Sequence, residues 1–300
     1  MLSRDMEKYD EEKNEKYLLS KLLEERLLTI YDSYHDSPIS SPIEVIQNRL
    51  VEEFDEIGLR YLLNYQNQVR DIGNLINLSI YGELYPYINQ VEIFKENKNG
   101  IQLDYSDDYS EISKVLSKRK SIRDFSGKSI SFNIISNILF NASNMWKRDE
   151  FLRKNTSSGG GLYSIDIYLY ANTIDDLNRG IYKFNPFYKN LELISNTSYS
   201  KINEIFGDNA VIDFENSGGI FLFTFDYLKV FQKYGELSLS LGFIEIGLLS
   251  QNIHILSVLY GLGTCDVGGF DKNICEDVLK IDGINTHAVY AIVFGDPKHV

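Results

Sequence analysis

The chain has 300 residues, of which 43% are hydrophobic and 24% charged, and its formal net charge is −13. This composition is typical of a folded chain with a large core, and the length allows one large domain or two smaller ones. The excess of negative charge argues against binding to nucleic acid or to an anionic membrane surface.

The remaining global features exclude further classes of protein. The two cysteines, Cys265 and Cys275, are too few for a disulfide framework and suit a reducing compartment. The four histidines form no HxxxH or HExxH pair, so the sequence predicts no metal site. The charged N-terminus lacks the apolar core of a signal peptide, and we therefore expect a cytoplasmic protein.

The most apolar segment, residues 241–262, is nearly long enough to span a bilayer. It contains Glu245, Gln251, Asn252 and His254, which are costly in lipid but can find partners in a protein core. The segment is therefore predicted to be a buried core helix, and no membrane association is expected.

Residues 1–107 form the first predicted unit. Leucine and tyrosine recur at helical spacing in residues 5–30 and 43–66, and the motif SPISSP separates the two stretches. We expect a mainly helical N-terminal extension that ends in a strand near QVEIFK and a turn at ENKNG.

Residues 108–300 form the second predicted unit, in which helices and strands alternate. Its predicted elements are a helix in 108–125 that runs into a basic turn, a helix in 131–144, a strand after the loop SSGGG, a hairpin in 180–195, an apolar strand in 218–227, the helix 242–262 and a last strand in 287–297. The spacing is not that of strict βαβ repeats. This order favours an α+β sheet surrounded by helices.

A basic cluster ends the first of these helices. Arg119 and Arg123 flank Ser121, and two guanidinium groups with a hydroxyl between them suit a dianionic phosphate. The alternative is a solvated basic turn that caps the preceding helix.

Two glycine-rich segments could approach a flat ligand or a phosphate closely. In the first, Ser158, Gly159 and Gly160 precede a strand, but the loop matches neither a P-loop nor a GxGxxG fingerprint, and it could simply be flexible. In the second, GLGTCDVGGFD, Gly268 and Gly269 could present backbone N–H groups. Cys265 is interpreted as a small buried hydrophobic residue rather than a nucleophile.

Lys233 and Tyr234 stand side by side just before the long apolar helix. An ammonium beside a phenol can lower the pKa of the phenol, and a buried lysine can itself act as a base. The alternative is a loop lysine beside a half-buried aromatic ring.

Taken in order, these motifs resemble the SagB-type flavin dehydrogenases, a branch of the nitroreductase-like fold. The resemblance covers about residues 108–297. The matching motifs are R-x-S-x-R-x-F at 119–125, SSGGGLYSID at 157–166, G-I-Y-x-F at 180–184, the KY pair at 233–234, E-x-G-x-x-x-QN at 245–252 and GLG-x-C-x-x-GGF at 261–270.

The resemblance implies an FMN-binding homodimer. It implies that Arg119, Ser121 and Arg123 hold the phosphate, and that the glycine segments line the isoalloxazine, with one loop coming from the partner chain. The implied cofactor-binding residues are Arg119, Ser121, Arg123, Ser158, Gly159, Gly160, Gly268 and Gly269.

The resemblance also implies a reaction. Best-known members oxidise the thiazolines and oxazolines of a ribosomally made precursor peptide, of bacteriocin or cytolysin type, to thiazoles and oxazoles. They work beside cyclodehydratase subunits. In this chain the resemblance assigns the proton-abstracting role to Lys233 and Tyr234. Two other functions remain open: a general NAD(P)H-dependent reductase of nitro compounds or quinones, and a largely structural subunit of a modification complex.

The sequence departs from the family pattern at several positions. Leu237 and Ser240 stand where members commonly have arginines, and Lys298 could compensate. Ser157 and Ser164 replace the two prolines of the PSxGxLYP motif, which would leave the loop less rigid.

Overall fold

The computed structural model describes residues 101, 103, 111–148, 151–207 and 211–298. The predicted helical extension 1–107 therefore lies almost entirely outside the described residues and stays a prediction. The predicted boundary at residue 108 lies outside them as well.

The described residues form six α-helices and eight strands. The helices are α1 (Glu111–Lys118), α2 (Phe132–Ser143), α3 (Tyr199–Phe206), α4 (Tyr227–Tyr234), α5 (Ser238–Leu259) and α6 (Lys272–Leu279). The strands are β1 (Met145–Arg148), β2 (Phe151–Lys154), β3 (Ile165–Ala171), β4 (Gly180–Asn185), β5 (Asn190–Ser195), β6 (Gly219–Asp226), β7 (Gly263–Val267) and β8 (Thr286–Gly295).

Six of the strands form one antiparallel sheet in the order β5-β4-β3-β6-β8-β7. Strands β1 and β2 form a separate two-stranded sheet. The predicted α+β sheet surrounded by helices is thus confirmed, and its six strands are antiparallel.

The central strand β6 shows why both faces of this sheet are covered. Ile220 and Leu222 belong to the core cluster that also contains residues of α3 and α6. Phe225, on the opposite face, lies so close to α5 that a Cβ on Gly242 would be 2.5 Å from its ring. A strand buried on both faces has a nearly continuous apolar run rather than an alternating pattern, as β6 has apart from Thr224 and Asp226.

Helix α5 crosses the sheet and supplies most of the polar contacts described below. Among the described residues, the stretch 227–259, which comprises α4 and α5, is long and apolar enough by length and composition to cross a bilayer. One face of α5 buries Glu245, Ser250 and His254 against the protein. The opposite face exposes apolar side chains, so the predicted burial of this helix holds for one face only.

Lys233 and Tyr234 do not lie in a loop. They end α4, which begins after Asp226, whose carboxylate accepts a hydrogen bond from the Lys229 N–H at 3.0 Å. A short 3-10 turn, Gly235–Leu237, then joins α4 to α5.

Candidate active site

The side chains of Lys233 and Tyr234 meet the first glycine loop. Lys233 Nζ lies 5.2 Å from the centre of the Tyr234 ring. Gly160 has a φ of +62°, and a Cβ on it would overlap the Tyr234 hydroxyl and lie 2.6 Å from Lys233 Nζ. The position therefore requires glycine for two reasons. The backbone is left-handed there, and two polar side-chain groups occupy the place that a Cβ atom would take.

Ser158 fixes this loop to helix α5 through a hydrogen bond with Glu245. Its hydroxyl donates to Glu245 at 2.5 Å and accepts from the Tyr163 N–H at 2.8 Å. Ser164 donates a second, longer hydrogen bond to the same carboxylate oxygen at 3.3 Å. Since the hydroxyl proton of Ser158 is committed to Glu245, donors for a ligand must come from the loop backbone. Gly159 and Gly160 can supply them, because the first N–H groups of a helical turn have no acceptor within it.

Glu245 itself is buried beneath the loop. Burial raises its pKa, and the hydrogen bond from Ser158 and the positive charge of Lys154 offset only part of this effect. Burial also lowers the pKa of Lys154, against the opposing pull of Asp166 and Glu245. The loop is thus hydrogen-bonded to a carboxyl group that stays protonated to a higher pH than an exposed carboxyl group does.

A pH-dependent stability follows from this carboxyl group. A raised pKa in the folded state contributes stability that is present below the unfolded pKa and lost as pH rises through the folded pKa. We expect the free energy of unfolding of the natural chain to fall, relative to that of Glu245→Gln, as pH rises above the ordinary value of 4.5. Denaturant titrations of both proteins across this range measure the difference. Glu236→Gln is the exposed control, and parallel curves for Glu245→Gln and the natural chain would contradict the expectation.

The predicted phosphate cluster lies against strand β7. Ser121 pairs with Thr264, and the Ile122 N–H donates to the Thr264 carbonyl at 2.9 Å. Arg119 and Arg123 flank this pairing, and both are exposed, as a ligand-binding cation must be. The Lys298 N–H donates to the carbonyl of Asp124 at 3.1 Å, so the C-terminal lysine lies beside the same segment.

The second glycine segment follows β7 directly. Gly268 and Gly269 are exposed at its end. They lie four to five residues beyond Thr264, which corresponds to about 13–17 Å along an extended strand. Strand β7 therefore links the arginine segment, which pairs with it at Thr264, to the exposed backbone of Gly268 and Gly269.

A buried polar network holds β7 to α5. His254 contacts Thr264 Oγ1 at 2.6 Å through Nδ1 and Asp266 Oδ2 at 2.8 Å through Nε2, and Ser250 donates to Asp266 Oδ1 at 2.8 Å. Burial acts to raise the pKa of Asp266, but the hydrogen bond and charge of His254 outweigh it, and the pKa lies below its usual value. Between Thr264 and Asp266, Cys265 is buried, and burial raises the pKa of its thiol, as expected for a structural cysteine.

The structure brings some predicted residues together and leaves others apart. Lys233 and Tyr234 meet Gly160, and Ser121 meets β7, which leads to Gly268 and Gly269. Among the described residues, no hydrogen bond joins the arginine segment to the Gly160 loop.

Sequence reasoning missed the partnership of Ser158 with Glu245. The available signal was a lone carboxylate inside an apolar helix, because a buried carboxyl group must find donors.

Comparison with known proteins identifies the fold family. A family model described as "Nitroreductase family" matches residues 116–296. The chain belongs to the nitroreductase family. The predicted nitroreductase-like fold is thus confirmed.

Similar proteins span most of the nitroreductase domain. A nitroreductase of Methanocaldococcus jannaschii is 26% identical over 173 residues, which are 56% of this chain and 83% of that protein. In the structure of the Escherichia coli microcin synthetase McbBCD complex with truncated pro-MccB17, one chain has a TM-score of 0.60 at 19% identity, covering 72% of this chain and 81% of that chain. A nitroreductase from Ralstonia eutropha has a TM-score of 0.53 at 14% identity, covering 67% and 89%.

Nitroreductase family members are flavin-dependent oxidoreductases, so membership implies a flavin here. The described residues fit such a group in two respects. The exposed backbone of Gly160 lies against the Lys233 and Tyr234 side chains, where any Cβ would collide with them, and the exposed arginines suit a phosphate. Leu237 and Ser240, at the positions of the missing arginines, are both exposed.

Proposed function

We propose that the protein is an FMN-dependent azoline dehydrogenase that oxidises thiazolines or oxazolines in a ribosomally made precursor peptide. The observation that carries the proposal is the meeting of Lys233 and Tyr234 with the backbone of Gly160. This places a lysine and a tyrosine together at an exposed glycine loop. The similarity to a chain of the microcin synthetase complex, solved with a bound peptide, supports a role in peptide modification.

The reaction divides between the cofactor and the protein. Aromatisation of an azoline removes one ring hydrogen as a proton and another as a hydride. FMN, when bound, would supply the hydride acceptor, with dioxygen as the final electron acceptor. Lys233 and Tyr234 would take the proton, and the backbone of Gly159 and Gly160 would orient the rings.

The arginine segment would hold the FMN phosphate. Arg119 and Arg123 offer forked guanidinium donors, and the pairing of Ser121 with Thr264 fixes the segment to the sheet. Lys298 could add a further positive charge, because its backbone is bound to Asp124. This arrangement would compensate for the absence of the two arginines at Leu237 and Ser240.

We also propose a homodimer built on the exposed face of α5. Ile244 is 59% exposed and Leu248 is 44% exposed, one turn apart on the same face. An apolar face of a long helix is typical of a surface that is buried on association. Dimerisation would also bring the arginine segment of one chain near the glycine loop of the other, as the resemblance implies.

The substitution Ile244→Glu tests the dimer. We expect it to convert the protein largely to monomer, since it places an unpaired charge in the buried interface. Leu193→Glu, at an exposed apolar position of β5, is the control and should leave the assembly unchanged. Sedimentation velocity measures both, and an unaltered dimer in Ile244→Glu would exclude this face.

The partners of the enzyme would be the azoline-containing precursor peptide and cyclodehydratase subunits, in the cytoplasm. A second candidate function is the reduction of nitro compounds or quinones with NAD(P)H. The similarity to the nitroreductase of Methanocaldococcus jannaschii favours it.

Anaerobic reduction of the bound flavin separates the two functions. An azoline dehydrogenase should lose its flavin absorbance when an azoline-containing peptide is added, and much more slowly with NADPH. Rapid reduction by NADPH, unaffected by Lys233→Ala and absent with the peptide, would support the second function instead. Protein that cannot be loaded with FMN would exclude both.

A further inference from the structure

The hairpin formed by β1 and β2 stands apart from the main sheet and leads directly into the glycine loop. Trp146 pairs with Arg153 and Lys147 pairs with Leu152 across the two strands. Trp146 is 40% exposed and Phe151 is 62% exposed. These are large apolar side chains on a ribbon that buries little of its own surface.

Neighbouring elements extend the surface. The Met145 N–H donates to the carbonyl of Pro186 at 3.4 Å, which joins the hairpin to the turn between β4 and β5. In that turn Tyr188 is 71% exposed, and Lys189 Nζ lies 5.5 Å from the ring centre of Phe140 in α2. We call this the hairpin surface, defined by Trp146, Lys147, Phe151, Leu152, Arg153 and Tyr188.

The charge of the hairpin opposes that of the whole chain. The eight residues of its strands include four basic residues, and the connecting Asp149 and Glu150 bring the net charge of residues 145–154 to +2, in a chain with a net charge of −13. Arg153 lies over the Phe151 ring at 5.5 Å, so a cation and an aromatic ring are presented together.

The outer edge of β2 is also open. Among the residues that the structure describes, β2 pairs with β1 alone, and no other strand covers its second edge. An unpaired edge presents a row of N–H and C=O groups that can pair with an extended peptide.

We propose that the hairpin surface binds an extended acidic peptide segment, which adds as a strand to the outer edge of β2. Carboxylates on one face of the segment would meet Arg153, and apolar side chains on its opposite face would contact Leu152. Because β2 runs into the loop at Ser157–Gly161, a bound peptide would be directed toward the candidate active site. The inference rests on the proposed function, in which the substrate is a peptide.

A second copy of the chain is the competing occupant. The face of α5 serves that role better, because Ile244 and Leu248 form an apolar stripe without interspersed cations. The hairpin combines basic and apolar side chains beside an open strand edge, which suits one extended acidic strand.

Tryptophan fluorescence provides a direct binding assay, since Trp146 is the only tryptophan in the chain. The FMN-loaded protein is titrated with a synthetic peptide in which glutamate alternates with valine. We expect saturable emission changes that weaken with salt, and no change with the matched lysine–valine peptide. Calorimetric titration repeats the measurement without relying on Trp146, and absence of heat and of emission change would overturn the proposal.

Two variants and a modified peptide test the mode of binding. The double substitution Lys147→Glu and Arg153→Glu should weaken binding by about tenfold or more. The control Arg179→Glu, at an exposed position just before β4, should leave it unchanged. A peptide N-methylated at alternate residues should lose binding when the methylated edge faces β2. Equal binding of the methylated peptides, or dissociation of the dimer in the double variant, would overturn the proposal.

Turnover separates this inference from the proposed function. If both hold, the double variant should oxidise a minimal azoline normally and lose only the rate advantage of an attached acidic segment. Natural protein that binds the acidic peptide but oxidises no azoline would disprove the proposed function and leave the binding site standing. Equal rates for the double variant and the natural protein with the acidic substrate would overturn the site.

Discussion

The substitution Lys233→Ala is expected to lower the rate of azole formation by about 10²–10⁴-fold, the usual contribution of a general base. The physical reason is the position of Lys233 Nζ beside Tyr234 and above Gly160. FMN should stay bound, because neither the arginine segment nor the loop backbone changes. Tyr234→Phe removes only the hydroxyl and should reduce the rate in the same way.

A neighbouring lysine provides the matched control. Lys229 lies one turn earlier on α4 and is exposed, and its Nζ is 3.4 Å from the Tyr163 carbonyl. Lys229→Ala should therefore keep most of the turnover. The measurements are kcat for azole formation and the FMN dissociation constant from flavin fluorescence. Full turnover in both Lys233→Ala and Tyr234→Phe would remove the pair from the mechanism.

The substitution Gly160→Ala should abolish most of the activity while costing little more stability than its neighbour. Both Gly160 and Gly161 have left-handed φ values, so alanine costs about 1–2 kcal/mol at either position. A Cβ at Gly160 displaces Lys233 Nζ and the Tyr234 hydroxyl, whereas a Cβ at Gly161 meets nothing within 4 Å. The displaced atoms lie at the ends of side chains, so their movement costs little stability. It does, however, remove them from the positions that the proposed reaction needs.

The pair of variants separates catalysis from folding. Thermal unfolding should show similar losses for Gly160→Ala and Gly161→Ala, while kcat should fall by about 10²-fold or more in Gly160→Ala alone. Equal activities in the two variants would show that the meeting point at Gly160 does not matter for turnover.

The elements with strong patterns could be predicted from the sequence. The hairpin β4–β5 was predictable from two β-rich runs around NPFYKN, and β6 from a continuous apolar run. Helix α2 was predictable because Ser131 caps it, accepting a hydrogen bond from the Asn133 N–H.

Other elements depend on tertiary context. The hairpin β1–β2 was not predicted, because its strands, MWKR and FLRK, show no alternating pattern and no glycine-type turn signal joins them. Helix α4 was also missed, although Asp226 offered a capping signal at the end of β6. The apolar character of α5 predicted burial all round, since a sequence does not distinguish a face that meets the sheet from one that remains open in the protomer.

The site was predictable as a set of motifs but not as an arrangement. Spacing along the chain indicates neither that Lys233 and Tyr234 reach Gly160 nor that Ser121 pairs with Thr264. Both contacts form across the fold, between residues more than 70 positions apart in sequence. The support of Ser158 by Glu245 has the same origin.

Mass spectrometry of an azoline-containing peptide tests the central claim most directly. After incubation with the FMN-loaded protein, each azoline ring should lose two hydrogen atoms, and the same peptide should remain unchanged with Lys233→Ala. Natural protein that binds FMN and is reduced by NADPH, yet leaves every azoline ring intact, would contradict the account.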